Sequence, residues 1–281
     1  MLLADYSSRF LPHLTTQQVA TLPHKERAVV VLPIASIEQH GPHLPLYTDS
    51  LILDEVLRRT LAALPDHIPV WVLPMLAYGK SNEHLGFAGT VTLTSETLIR
   101  VLKDIGASVA RSGFRRLAIL NGHGGNTEII DFVIRDIREQ TGLLVFALHI
   151  GLRVAPPSAG LSESERIYGI HAGDAETSIL LRCRPDLVKK DLAPASLPAH
   201  LQTAKHPPFM GPLTFAWLTR DISPNGVLGD ATTADAEKGE RFLSDAAGQT
   251  AELLHAIVDF EFAAPAASSG GSAESKRSPS T

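Results

Sequence analysis

Residues 27–49 read RAVVVLPIASIEQHGPHLPLYTD, and how RAVVVLPI is read decides the fold. After Arg27 the run is continuously apolar and rich in valine. A strand wet on one face would alternate apolar with polar. An unbroken run predicts a strand buried on both faces, as in a parallel sheet covered by helices. The stretch that follows is broken by Gly41, Pro42 and Pro45 and carries Glu38, His40, His43 and Asp49. Ionisable groups directly beyond a buried strand are costly unless partnered. In extended backbone, residues i and i+2 face the same side, so Glu38 and His40 address one point. Asp49 returns to that point if GPHLPL loops out and back.

Outward from this stretch, strands and helices alternate. The apolar spacing of DSLILDEVLRRTLAAL (49–64) predicts a helix with Asp49 at its N-cap. HIPVWVLPML (67–76) reads as a strand and SETLIRVLKDIGASVARSGF (95–114) as an amphipathic helix. RRLAILNGHGGN (115–126) is a strand running into a Gly-rich turn. TEIIDFVIRDIREQTG (127–142) is a helix ended by Gly142, and LLVFALHI (143–150) a further strand. This order predicts an α/β fold with a mostly parallel central sheet covered on both faces. In such folds ligands bind beyond the carboxyl ends of the strands. The 36–49 loop and NGHGG (121–125) both follow strands, which brings His123 toward Glu38, His40 and Asp49.

Residues 151–170 read as a loop, HAGDAETSILLRC (171–183) as the start of a helix, 185–230 as Pro-rich and irregular, and roughly 231–262 as a long helix. One domain over 1–262 is expected. The segment 263–281 is low in complexity and expected to be a disordered tail.

Composition excludes several classes. With 281 residues, 44% hydrophobic and 20% charged, a sizeable core is expected. The net charge of −5 argues against a nucleic-acid binder. A single cysteine, Cys183, rules out an intrachain disulfide and a Cys-rich zinc site, and reads as a small core residue near a helix end. MLLADYSSRFLPHLTT has no basic segment followed by a long apolar one, so no signal peptide is expected. No apolar run approaches the roughly 18 residues needed to span a membrane. The expected location is the cytoplasm.

The chemistry-bearing set is Glu38, His40, Asp49 and His123. Two imidazoles and two carboxylates suit zinc, manganese or iron(II). Glu38, Asp49 and His123 can hold one ion while His40 and Asp49 share a second, which then needs another ligand. Glu176, in the first turn of the HAGDAETS helix, is a candidate for it, and His171 lies near the same mouth. Glu176 reads equally as a helix-terminal charge, and Asp174 reads better as one. NGHGGN can cradle phosphate, yet it lacks the lysine and spacing of a P-loop and does not match GxGxxG. Within it, Gly122, Gly124 and Gly125 let backbone approach a substrate and offer N–H donors to an oxyanion. Ser81 and His84, in YGKSNEHLGFAGTVTL (78–93), either reach the substrate at the same edge or belong to an ordinary loop. His43 reads as a group that orients a ligand. His13, His24, His67, His149, His200, His206 and His255 read as ordinary core or surface histidines.

EQHGPHLPLYTD, GKSNEHLGFAGT, NGHGGN, HAGDAETS and GVLGDATTADAEKG stand in that order over about residues 15–255, and this series resembles that of the creatininase (creatinine amidohydrolase) family. The resemblance implies a three-layer α/β/α sandwich, a binuclear metal centre and hydrolysis of a cyclic or other small amide. It implies two divalent ions per chain, zinc first with manganese or iron as alternatives, and a homo-oligomer, often a hexamer. By motif position Glu38, His40, Asp49 and His123 match metal ligands, and His171 matches a proton-shuttling histidine. Creatininase proper has an acidic ligand where this chain has Gly125. In relatives with NGHGGN, the glutamate corresponding to Glu176 looks like the substitute; otherwise Glu176 is the candidate general base. Creatininase also carries a tryptophan lid just before HAG, whereas GLSESERIYGI (160–170) has none. Trp71 falls on a strand and Trp217 lies far downstream, so an aromatic lid is not expected and a true creatininase is not indicated. The family also includes a formylamino-pyrimidine deformylase and a peptidase of a peptide-derived cofactor. A peptidase acting on a peptide end is therefore one alternative to a small-amide hydrolase, and a non-catalytic metal-binding scaffold is another.

Overall fold

Val29 to Ile34 form β1, which is buried along its whole length. The computed structural model describes residues 8–150, 160–199 and 215–263. β1 is joined by β2 (Val70–Val72), β3 (Arg116–Asn121) and β4 (Leu144–His149) in one parallel sheet of order β2–β1–β3–β4. Val29 lies opposite Val70 and Arg116, Ile34 opposite Asn121, and Asn121 opposite His149. The carboxyl ends of β1, β3 and β4 therefore finish level.

Alternate residues of β1 serve two cores, as the period of a strand requires. Val29 and Val31, with Ala118 and Leu120 of β3, pack against Leu53 and Leu57 of α2 (Thr48–Ala63) and Leu254, Ile257 and Val258 of α8 (Ala236–Asp259). Val30 and Leu32, with Leu117 and Ile119, pack against Leu98 and Leu102 of α3 (Ser95–Arg111) and Ile130, Val133 and Ile137 of α4 (Thr127–Thr141). Two helices on each face make three layers. Each of these fully buried aliphatic side chains contributes about 1.5–3 kcal/mol over an exposed one. A Cβ on Gly106 would lie 2.7 Å from Ile137, which is why α3 and α4 can cross so closely there. α4 ends on Gly142 in the left-handed conformation, a standard helix stop.

The smaller elements frame one edge. α1 (Thr16–Ala20) precedes the sheet and is closed by a Thr15–Gln18 capping box. α5 (Glu163–Tyr168) and α6 (Asp174–Cys183) lead away from the sheet edge. α7 (Thr219–Ile222) and a two-stranded antiparallel pair, β5 (Ala195–Ser196) and β6 (Gly229–Asp230), follow. A third core joins Ile52 and Val56 of α2, Ile179 and Leu180 of α6, and Phe242 and Leu243 of α8. Buried Arg116 ties the start of β3 to the end of α8, donating from Nε to Ile257 O at 3.0 Å and from Nη2 to Phe260 O at 2.8 Å.

Some elements differ from the sequence expectation. The strand expected over 67–76 is only Val70–Val72, because Pro69 and Pro74 bracket it and cannot donate to the ladder. Asp49 is not the cap of α2: Tyr47 holds that place, and Asp49 is the second residue of the helix, with its carboxylate toward the imidazoles. Residues 163–168 are helical within the expected loop, capped by Ser162. The last helix starts at Ala236, capped by Asp235, and not at 231. Residues 151–159, His200, His206 and the expected tail beyond 263 lie outside the described residues. Among the described residues no helix is long and apolar enough to cross a membrane.

Candidate metal centre

Two asparagines of the NGHGGN turn build the floor of the site. Asn121, the last residue of β3, donates to His123 O at 2.8 Å and accepts from His123 N at 3.1 Å. Asn126 donates to Ala35 O at 3.1 Å and accepts from Lys80 N at 2.9 Å. The loops after β1, β2 and β3 are thereby locked to one another. The loop after β1 is pinned again where Glu38 N donates to Leu46 O at 3.0 Å.

On this floor the donors converge. Asp49 stands between two imidazoles, with Oδ1 3.2 Å from His40 Nε2 and Oδ2 2.9 Å from His123 Nδ1. The Ser36 hydroxyl also donates to Asp49 Oδ2. Glu176 Oε2 lies 3.8 Å from His40 Nε2 and accepts from Ala172 N at 2.5 Å. Glu38 Oε1 lies 3.3 Å from His84 Nε2 and 3.6 Å from His171 Nδ1, while its Oε2 lies 3.3 Å from His123 Nε2. Glu38, His40, Asp49 and His123 are all buried.

Gln39, which the sequence did not single out, fixes the histidine tautomers. Gly41 N donates to Gln39 Oε1 at 2.9 Å, so the other amide atom is the nitrogen. That nitrogen donates to His84 Nδ1 and to Gly226 O, both at 2.9 Å. His84 therefore carries its proton on Nε2, facing Glu38. His171 Nε2 lies 2.7 Å from the Gln39 carbonyl oxygen, so its proton is there. His171 Nδ1 is left as a lone pair turned into the cluster.

Charge follows from these contacts. Burial opposes protonation of His40, but Asp49, Glu176 and Glu38 outweigh it and raise the ring to about 9. Burial likewise opposes His123, and Glu38, Asp49 and Glu83 raise it to about 10. Burial raises Glu38 and Glu176, while in Asp49 the two imidazoles overcome burial and hold the carboxylate low. Burial, then His40 and His123, lowers His84 to about 3, and burial with His84 and His40 lowers His171 well below the ordinary value.

The donor set fits divalent cations. Glu38 Oε2 is buried without a hydrogen bond, 3.3 Å from His123 Nε2. Lone pairs and carboxylate oxygens face one another at the centre, an arrangement a cation would satisfy. Three overlapping groups have donor atoms within 4.8 Å: Glu38–His40–His171, Glu38–Glu83–His123 and His40–Asp49–Glu176. Asp49 nonetheless touches the imidazoles of both expected half-sites, His40 at 3.2 Å and His123 at 2.9 Å, while the donor groups divide as follows. Asp49 groups with His40 and Glu176, and Glu38 and His123 group with Glu83.

Without metal, the folded state holds protons on His40 up to about 9 and on His123 up to about 10, whereas an unfolded histidine releases its proton near 6.5. The folded chain binds more protons in that window, so this stability is full below the unfolded value and lost as pH rises through the folded ones. Raised Glu38 acts in the same direction. Chelator-stripped protein is therefore expected to show a Tm that falls from pH 6.5 toward pH 10, and metal uptake there is expected to release protons. Melts at stepped pH check the first, and a Tm rising over this range would overturn the assignment.

A cavity of about 780 Å³ opens on the cluster. Glu38, Asp49, His123, His171 and Glu176 all line it, as do His84, Gly124 and Gly125. Ser81, read either as reaching substrate or as an ordinary loop residue, is fully buried beside His123, its hydroxyl 3.2 Å from Nε2. His43 does not touch the donors; it ties the loop to α6 through Thr177 Oγ1 at 2.9 Å. Cys183 is a partly buried thiol pushed up to about 11 by burial, consistent with an inert packing residue. His149, read as ordinary, lines the cavity with Nε2 2.9 Å from Asp131. Trp217 and Phe215 line it as well, so an aromatic wall exists although residues 160–170 hold no tryptophan.

A family model described as creatininase, creatinine amidohydrolase, matches residues 12–254. The chain is 36% identical over 222 residues to a mycofactocin precursor peptide peptidase of Mycobacterium ulcerans, covering 77% of this chain and 80% of that one. It is 32% identical over 254 residues to a creatinine amidohydrolase of Pseudomonas putida, covering 84% and 92%. Among solved structures, a mutant creatininase of Zn-Zn type superposes with a TM-score of 0.71 at 28% identity, covering 89% of this chain and 98% of that one. With a family model matched over residues 12–254 and relatives of this identity and coverage sharing the fold, the chain belongs to the creatininase family of hydrolases.

Proposed function

We propose that this hydrolase cleaves an amide C–N bond with the help of two divalent ions, and that its substrate is the end of a peptide. The observation that carries the reaction is Asp49 set between His40 and His123, beside an orphaned Glu38 oxygen, at the foot of the cavity. Glu38, His40, Asp49, His123 and Glu176 would hold the ions, zinc first, with manganese or iron(II) as alternatives. Bound there, the ions supply Lewis acidity to the amide carbonyl and acidify water toward neutral pH.

The chain's own groups then manage the proton. His171 is neutral, with its Nδ1 lone pair inward, so it takes the proton of the attacking water before giving it to the departing nitrogen. It acts as an acid only after acting as a base. Its Nε2–H stays on Gln39 O and keeps the ring from rotating. Gly124 and Gly125 present bare backbone to the substrate carbonyl. Glu176, if it is not a ligand, is the remaining base.

The peptide end draws support from two facts. The peptidase relative matches at higher identity than the amidohydrolase, and the cavity is large within the usual range of about 300–1,000 Å³ for ligand sites. A second reading, a small cyclic amide, draws support from Trp217 and Phe215, which offer a flat ring an aromatic face. A panel of short peptides, formamides and cyclic amides, assayed with zinc-loaded protein, tests these readings. The highest kcat/KM is expected on a peptide. Preference for a cyclic amide would establish the second reading, and full metal with no turnover at all would leave a scaffold.

A further inference from the structure

We infer that Glu83 is an additional metal ligand, completing the half of the centre built by Glu38 and His123. The inference rests on the metal-dependent reading above. Glu83 lies in the short 3-10 turn Asn82–His84, whose next residue, His84, already holds Glu38 Oε1. That leaves Glu38 Oε2 buried and without a hydrogen bond on the side where Glu83 enters. Glu83 Oε1 is 3.8 Å from His123 Nε2, and donor atoms of Glu38, Glu83 and His123 lie within 4.8 Å of one another. Glu83 also lines the cavity, so an ion and its substrate can reach it.

Gly125 explains how the carboxylate gets there. A Cβ at this position would lie 2.4 Å from Glu83 Oε1, 2.4 Å from the backbone Lys80 O and 2.6 Å from His123 Nε2. A bare α-carbon leaves room for the Lys80 carbonyl and, beside it, for Glu83 next to His123. The two halves then match: Glu38, Glu83 and His123 on one side, His40, Asp49 and Glu176 on the other. Each half has two carboxylates and one imidazole. Four carboxylate charges offset the four positive charges of two divalent ions, which a buried centre requires.

The test is zinc and manganese(II) titration of stripped protein against a chromophoric chelator, with metal-free Tm as a check on folding. Wild type is expected to bind two ions. Glu83→Gln, which keeps the shape, is expected to weaken one of them by at least about 10-fold with the metal-free Tm unchanged. Glu83→Asp, which withdraws the carboxylate by one methylene, is expected to show the same loss. Two ions bound at wild-type affinity by both variants would overturn the ligand role, even if turnover fell. Fewer than two ions in wild type would instead sink the binuclear reading, and the inference with it.

Discussion

Asp49→Ala is expected to strip both ions and leave no turnover above the uncatalysed background. Its two oxygens lie 3.2 Å from His40 and 2.9 Å from His123, so one carboxylate touches an imidazole of each half of the cluster. Removing it also leaves two buried rings that its charge helps to keep protonated. An unpaired buried charge costs about 3–5 kcal/mol, so the metal-free variant should melt well below wild type at neutral pH. Asp49→Asn separates the causes, since it preserves volume while removing the charge and exchanging one acceptor oxygen for an amide donor. Elemental analysis, melting and turnover on the same samples decide the matter. Two ions and normal turnover in the Asn variant would contradict a ligand role for Asp49.

His171→Gln is expected to keep both ions and lose about 10²–10⁴-fold in kcat. The ring's tautomer and inward lone pair suit a proton carrier. Its lowered pKa places the acid limb of the wild-type rate profile below the usual histidine range. As pH falls through that limb, Nδ1 gains a proton before the reaction and the rate drops. The variant should lose both the limb and most of the rate. His171 also belongs to the donor group with Glu38 and His40, so metal content is the discriminating readout. Loss of an ion in the variant would make His171 a ligand, and an unchanged kcat would remove it from the mechanism.

The fold was legible because buried parallel strands write themselves as unbroken apolar runs, and RAVVVLPI is one. The edge that gathers the donors followed from strand polarity alone. Glu38, His40 and His123 were legible because each stands just beyond a strand end, and Asp49 because the Pro/Gly-broken loop after β1 brings the start of α2 back to them. Gln39 was not, since a glutamine beside ligands carries no signal until the Gly226 loop closes on its amide. Glu83 was hidden for a similar reason: its value depends on the space at Gly125, which is a property of packing and not of spacing. Trp217 was set aside for its distance along the chain, yet the described residues place it on the cavity wall. The shortness of β2 was signalled by Pro69 and Pro74 but outweighed by the apolar run around them.

The seal made by α8 sets the order of events during synthesis. Every proposed donor lies between Glu38 and Glu176, so a chain still on the ribosome at Gly229 already carries the whole set. The sheet face formed by Val29, Val31, Ala118 and Leu120 then still lacks Leu254, Ile257 and Val258, and Arg116 lacks the carbonyls of Ile257 and Phe260. A nascent chain in that condition exposes a wide apolar surface, the kind that aggregates or recruits a chaperone. Stable metal capture therefore belongs after chain release, and a stop codon ahead of α8 would yield insoluble protein, not a weakened enzyme.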